Sequence, residues 1–101
     1  MPAPHRSSKD LLSARSDNIP RGILTAHPIV VERAEGAHLW DVEGRRYLDF
    51  VGGIGVLNVG HNHPRVVAAV QEQLTRITHT AFQVAAYEPY IALAERLNRL
   101  V

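Results

Sequence analysis

Acid, histidine and glycine gather in one stretch, Asp49-Phe50-Val51-Gly52-Gly53-Ile54-Gly55-Val56-Leu57-Asn58-Val59-Gly60-His61-Asn62-His63-Pro64. Glycines at 52, 53, 55 and 60 are too dense for a regular strand or helix, because each costs backbone entropy and packs nothing. They call for positive φ or for close approach of the backbone to something else. Between them, Val51, Ile54, Val56, Leu57 and Val59 are too many apolar residues for a solvated linker. The stretch therefore reads as a loop pressed against a wall or a partner, a setting in which small-molecule sites are built. Gly53-Ile54-Gly55 lacks the third glycine of a dinucleotide fingerprint, with Asn58 in its place. The run up to Pro64 also delays the helix whose N-terminus would hold a pyrophosphate. No Gly-Lys-Ser or Gly-Lys-Thr occurs, which excludes a nucleotide P-loop.

His61-Asn62-His63 has the spacing of a metal-binding pair, but such a site needs a third and usually a fourth ligand, and His27, His38 and His79 are scattered. The plainer expectation is that these side chains bond loop backbone and lead into a helix at Pro64. Serines lie only at 7, 8, 13 and 16, none in a Gly-x-Ser-x-Gly elbow, so serine hydrolase chemistry is excluded. Asp49 and Glu43 form a nominal pair of acids, but both fall at strand or turn ends and read as solvated carboxylates. The only lysine is Lys9, in the polar head, so a buried amine has no candidate.

A β-patterned half precedes the glycine stretch and a helix-patterned half follows it. Met1 to Arg6 reads as a disordered start. Ser7 and Asp10 have capping-box spacing ahead of Leu11, Leu12 and Ala14, which predicts a short helix ending before Ile19-Pro20-Arg21-Gly22. A run that Ile29-Val30-Val31 opens, then Ala37 to Asp41 and Arg45 to Phe50, predict three short antiparallel strands. They are joined at Glu35-Gly36 and at Asp41-Val42-Glu43-Gly44, with Gly44 left-handed. Trp40, Tyr47 and Phe50 suit a half-buried sheet, and core packing is the reading preferred for Trp40 over stacking on a cofactor. Beyond Pro64, the recurrence of Val67, Val70, Leu74 and Ile77 predicts an amphipathic helix over 64–77. Thr78 to Val84 reads as an irregular link. A second helix begins near Pro89, with Tyr90, Leu93, Ala94, Leu97 and Leu100-Val101 on its apolar side. No stop signal follows it, so the chain reads as a piece of a longer protein.

At 101 residues the chain is at most one domain. With 46% hydrophobic and 21% charged residues and a formal charge of +1, it has ordinary globular composition and no electrostatic case for nucleic acid or acidic membrane. The absence of cysteine excludes disulfides, thiolate catalysis and cysteine metal sites. No apolar run reaches the length of a signal-peptide core or a membrane span, and the expectation is a cytoplasmic location.

Ile19-Pro20-Arg21-Gly22, Leu39-Trp40-Asp41-Val42-Glu43-Gly44-Arg45-Arg46-Tyr47-Leu48-Asp49-Phe50 and Gly52 to Pro64, read together, resemble the opening of a class III pyridoxal-phosphate-dependent aminotransferase. The elements Trp-Asp-x-x-Gly, Tyr-Leu-Asp-Phe and Gly-His-x-His-Pro carry the family resemblance. Ile54, Thr78 to Val84 and Tyr87-Glu88-Pro89-Tyr90 narrow it to the 4-aminobutyrate aminotransferase branch. The resemblance implies an α+β fold, the N-terminal part of the small domain of a fold type I transferase: short helix, three-stranded antiparallel sheet, glycine-rich active-site loop and two helices. On that pattern residues 1–18 are a tail and short helix, and residues 19–101 an incomplete domain. The implied reaction moves the amino group of 4-aminobutyrate to 2-oxoglutarate, giving succinate semialdehyde and glutamate, with pyridoxal phosphate as electron sink. The Schiff-base lysine, phosphate loop, acid at the pyridine nitrogen and substrate-carboxylate arginine of the family lie later in its sequence, so no catalytic or cofactor-binding residue is assigned here. By matched position, Ile54 faces the substrate, and Gln83, beside Phe82, offers an amide at the rim of the same cavity. The resemblance also implies a homodimer whose sites take residues from both subunits. Two alternatives of other classes are a self-standing α+β module that binds a ligand or protein, and a metal-dependent hydrolase built on His61 and His63.

Overall fold

Ser7 caps the first helix as its spacing from Asp10 predicts. Its hydroxyl accepts from Asp10 N while the Asp10 carboxylate takes the Ser7 N–H, and α1 runs over Ser8–Asn18. Asp10 is held below the ordinary carboxylate range, first by the Ser7 hydroxyl and then by the Ser7 amide. The computed structural model describes residues 4–101, so Met1 to Ala3 of the expected disordered start lie outside the described residues. The next residues are tied down: His5 Nε2 sits 3.0 Å from the Val42 carbonyl oxygen, and Ser8 N donates to Glu43 Oε1 at 2.8 Å. These bonds to a distant turn are what the local composition could not announce.

Three strands follow, β1 (Val31–Glu35), β2 (His38–Asp41) and β3 (Arg46–Leu48), antiparallel in the order β1-β2-β3. The register pairs Ala34 with Leu39 and Leu39 with Tyr47, and a bulge lies between Val31 and Arg33. Gly44, at φ 80°, closes the second hairpin by donating to the Asp41 carbonyl at 2.9 Å, as the turn composition predicts. Trp40 is half-buried in the sheet, with the Arg33 guanidinium 3.6 Å above its ring.

The chain divides into two compact units, one ending at Pro64 and one over Arg65–Val101. The second holds α3 (Pro64–Leu74) from its second residue on, and α4 (Glu88–Leu100). α3 is shorter than the predicted 64–77. Its last turn tightens, Thr75 N and Arg76 N donating to the carbonyls three residues back, and the Gln73 side chain reaches the Ile77 carbonyl at 2.9 Å. Phe82 stacks on Tyr90 at 4.2 Å between centroids and meets Tyr87 edge-on at 5.5 Å, fixing the link to the start of α4.

Among the described residues no apolar side chain is fully buried, and the sole buried side chain is Asp41. Its Oδ1 accepts from Glu43 N and Arg45 N, and its Oδ2 from Arg45 Nε and the Tyr47 hydroxyl, all within 3.0 Å. Burial works against ionisation of Asp41, but the Arg45 amide, the Tyr47 hydroxyl and the Arg45 guanidinium outweigh it and hold the carboxyl below its usual range. No helix among the described residues is long and apolar enough to cross a membrane.

Candidate functional site

The glycine stretch forms a single left-handed turn, α2 (Gly52–Gly55), immediately after the sheet. Gly52, Gly53 and Gly55 have φ of 54°, 61° and 76°, the conformation that their density requires. Ile54 shares it at φ 64° and ψ 54°, a position that a β-branched residue rarely occupies. Its side chain is 89% exposed. Val51, Val56 and Val59 are exposed as well, so the expected wall is not supplied by the residues described here.

Asp49 organises this turn. Its Oδ1 accepts from Val51 N and Gly52 N, both at 3.0 Å, and its Oδ2 lies 2.6 Å from His61 Nε2. The side chain is only 10% exposed, which corrects the expectation of a solvated carboxylate: one oxygen is taken by the adjoining turn and the other by His61, twelve residues on. The Gly52 amide, then His61, then the Val51 amide hold its carboxyl below the ordinary range against the opposing effect of burial.

His61 is itself fixed. Its backbone exchanges two hydrogen bonds of 2.9 Å with Gly36 in the first hairpin, and the next side chain, Asn62, donates to the Ala34 carbonyl at 2.7 Å. Gly60 allows this approach. A Cβ there would stand 3.0 Å from the Gly36 carbonyl oxygen, and its φ of 79° also favours glycine. The expectation that the His61-Asn62-His63 side chains bond loop backbone needs correcting at two positions: the His61 ring meets the Asp49 carboxylate, and the Asn62 amide reaches a carbonyl of strand β1. Among the described residues no three His, Asp or Glu side chains converge as metal ligands would.

Asp49 and His61 line an open groove of about 590 Å³ together with Ile29, Val31, Leu39, Tyr47, Phe50 and Gly53 among others. Another lining residue, Thr25, is held by Arg15, whose guanidinium donates to Thr25 Oγ1 at 2.6 Å and to the Ile23 carbonyl. Ile54 sits on the turn next to this groove, one residue beyond the lining residue Gly53. Gln83 belongs to the second unit. It is exposed within a turn that Val84 N closes on the Ala81 carbonyl at 2.7 Å, with Thr80 Oγ1 bonded to the Ala85 carbonyl. Sequence reasoning missed Asp49 and His61 as a bonded pair. The signal available was only that both flank the glycine run.

Pyridoxal phosphate does not find its anchors among these residues. Lys9, the sole lysine, is exposed in the first turn of α1, and the turn amides of Val51 and Gly52 already serve the Asp49 carboxylate. No chemical step is therefore assigned to the cofactor on this chain.

Comparison with known proteins agrees with the motifs. The chain is 59% identical over 95 residues to the 4-aminobutyrate aminotransferase GabT of Escherichia coli, covering 94% of this chain and 22% of the relative. It is 57% identical over 96 residues to the 5-aminovalerate aminotransferase DavT of Pseudomonas aeruginosa, covering 95% and 22%. Among solved structures, an (S)-enantioselective omega-transaminase from Thermomicrobium roseum superposes with a TM-score of 0.79 at 30% identity, over 97% of this chain and 24% of that one. The chain thus spans about a fifth of the length of the curated relatives it matches. These matches favour the aminotransferase over a self-standing binding module. The model of the class-III aminotransferases fits residues 21–101, and the chain belongs to that family.

Proposed function

We propose that this chain forms one wall of the substrate site of a pyridoxal-phosphate-dependent transaminase. That enzyme moves the amino group of 4-aminobutyrate to 2-oxoglutarate, giving succinate semialdehyde and glutamate. The observation that carries the reading is Ile54: an aliphatic side chain 89% exposed, presented by a left-handed turn beside an open groove. Such a group offers a linear ω-amino acid a dry surface for its methylenes and nothing to pair with a second polar group. Gln83, by its matched position, contributes an amide to a substrate or cofactor oxygen. When bound, the cofactor supplies the electron sink, through a lysine that is not among these 101 residues. A homodimer accords with the apolar faces left open, such as Tyr90, Leu93 and Leu97 on α4, each half or more exposed.

The test is a spliced holoenzyme in which this chain replaces the matching segment of the Escherichia coli relative. Transamination of 4-aminobutyrate, with 5-aminovalerate as the competing substrate, is expected at rates within about tenfold of the parent. Ile54→Gln should cut the preference for ω-amino acids over their α-amino analogues. A splice that folds and binds cofactor but transaminates neither ω-amino acid overturns the reading.

A further inference from the structure

We propose that Asp49 and His61 are positioning residues for the substrate wall: bridged at 2.6 Å, they hold the left-handed turn to the first hairpin and so fix where Ile54 stands. The inference rests on the reading of Ile54 as that wall. A β-branched residue at φ 64° stays there only when its surroundings over-determine the backbone. The contacts that do so are local and continuous. Asp49 Oδ1 takes the N–H groups of Val51 and Gly52, at the entrance to the turn, and Asp49 Oδ2 takes the His61 ring. The His61 backbone pairs on both sides with Gly36, and this close approach requires glycine at 60, since a Cβ there would meet three Gly36 backbone atoms within 3.1 Å. The turn is therefore fastened to the β1-β2 hairpin through one carboxylate and one imidazole. Both side chains are mostly covered, at 10% and 22% exposure, which limits the competition of water for their bond.

The experiment uses the spliced holoenzyme and reads the ratio of kcat/KM for 4-aminobutyrate to that for 2-aminobutyrate. Asp49→Asn, which places an amide donor against the His61 N–H or removes an acceptor, and His61→Leu should each lower this ratio about tenfold or more, chiefly through KM for the ω-amino acid. His61→Gln keeps a donor close to the place of Nε2 and should recover most of the ratio. In an Ile54→Gly background, Asp49→Asn should no longer move it, because the group being positioned is gone. A merely structural role would depress both substrates alike and leave the ratio unchanged. If Ile54→Gly by itself leaves the ratio unchanged, the wall reading and this inference fail together. If Ile54→Gly lowers it while Asp49→Asn and His61→Leu do not, the positioning role alone is overturned. Should Asp49→Asn not accumulate as folded holoenzyme, the pair His61→Leu and His61→Gln decides by the same readout.

Discussion

Asp41 and Asp49 are the same residue in the same kind of place, a carboxylate at the end of a strand taking two backbone N–H groups from the turn that follows. They differ in what the second oxygen meets. For Asp41 it is Arg45 Nε and the Tyr47 hydroxyl, both within the same hairpin, and the side chain is wholly buried. For Asp49 it is His61, beyond the whole glycine turn, and the pair borders an open groove. A carboxylate satisfied by its own hairpin makes scaffold. One satisfied across a flexible stretch fixes a loop that would otherwise have many shapes, and this is how a site is held on glycine-rich backbone.

Breaking the two devices should give unequal losses, read as stability of the spliced holoenzyme. Asp41→Ala leaves two turn amides and a tyrosine hydroxyl without their acceptor, and should give the largest fall in melting temperature of the series, on the order of 10 °C by calorimetry. Next in size is the contrast between two glycines. Gly60→Ala meets both a left-handed backbone and the Gly36 carbonyl at 3.0 Å, and should cost about 2–3 kcal/mol in denaturant titration. Gly44→Ala, at φ 80° with nothing within 4 Å, should cost only about 1 kcal/mol. Equal losses at the two positions would mean that the Gly36 to His61 pairing does not constrain the turn.

The two carboxyls also share a pH dependence. Both are depressed in the folded chain, so the stability they give is present above the ordinary carboxylate pKa of about 3.9 and is lost as pH falls through their lowered values. Amide exchange at Glu43 and Arg45 for the first turn, and at Val51 and Gly52 for the second, should rise in acid below about pH 4 relative to the intrinsic rate. No such rise is expected from pH 5 to 8 from these groups. The smallest effect belongs to Glu72→Ala, which removes an i,i+4 pair with Arg76 at 2.8 Å whose side chains are 68% and 65% exposed. It should cost less than about 0.5 kcal/mol. A larger loss would mean that the i,i+4 spacing shared with the Asp41–Arg45 pair, and not the burial of Asp41, sets the strength of such a pair.

Much of this was readable before any coordinates. The Ser7-Asp10 box, the left-handed Gly44, the three strands, α4 with Pro89 in its first turn and the positive φ of the clustered glycines all follow from rules that act over two to five residues. The end of α3 departs from its sequence pattern because apolar spacing continues through Ile77 after the hydrogen bonding has tightened. The covered state of Asp49 is hidden for a related reason: its Oδ2 meets His61, and strand-end position carries no information about a partner across a loop.

Family and local conformation are written in the residues themselves: the motifs are those of the class-III aminotransferases, and capping, turn and glycine preferences are set by each residue's own sterics. The tertiary structure alone decided which acid is buried in the scaffold and which faces the groove, and that Ile54 is carried on left-handed backbone. Those outcomes depend on contacts such as Gly36 with His61 and Asp49 with His61, which exist only once the chain has brought distant residues within bonding distance.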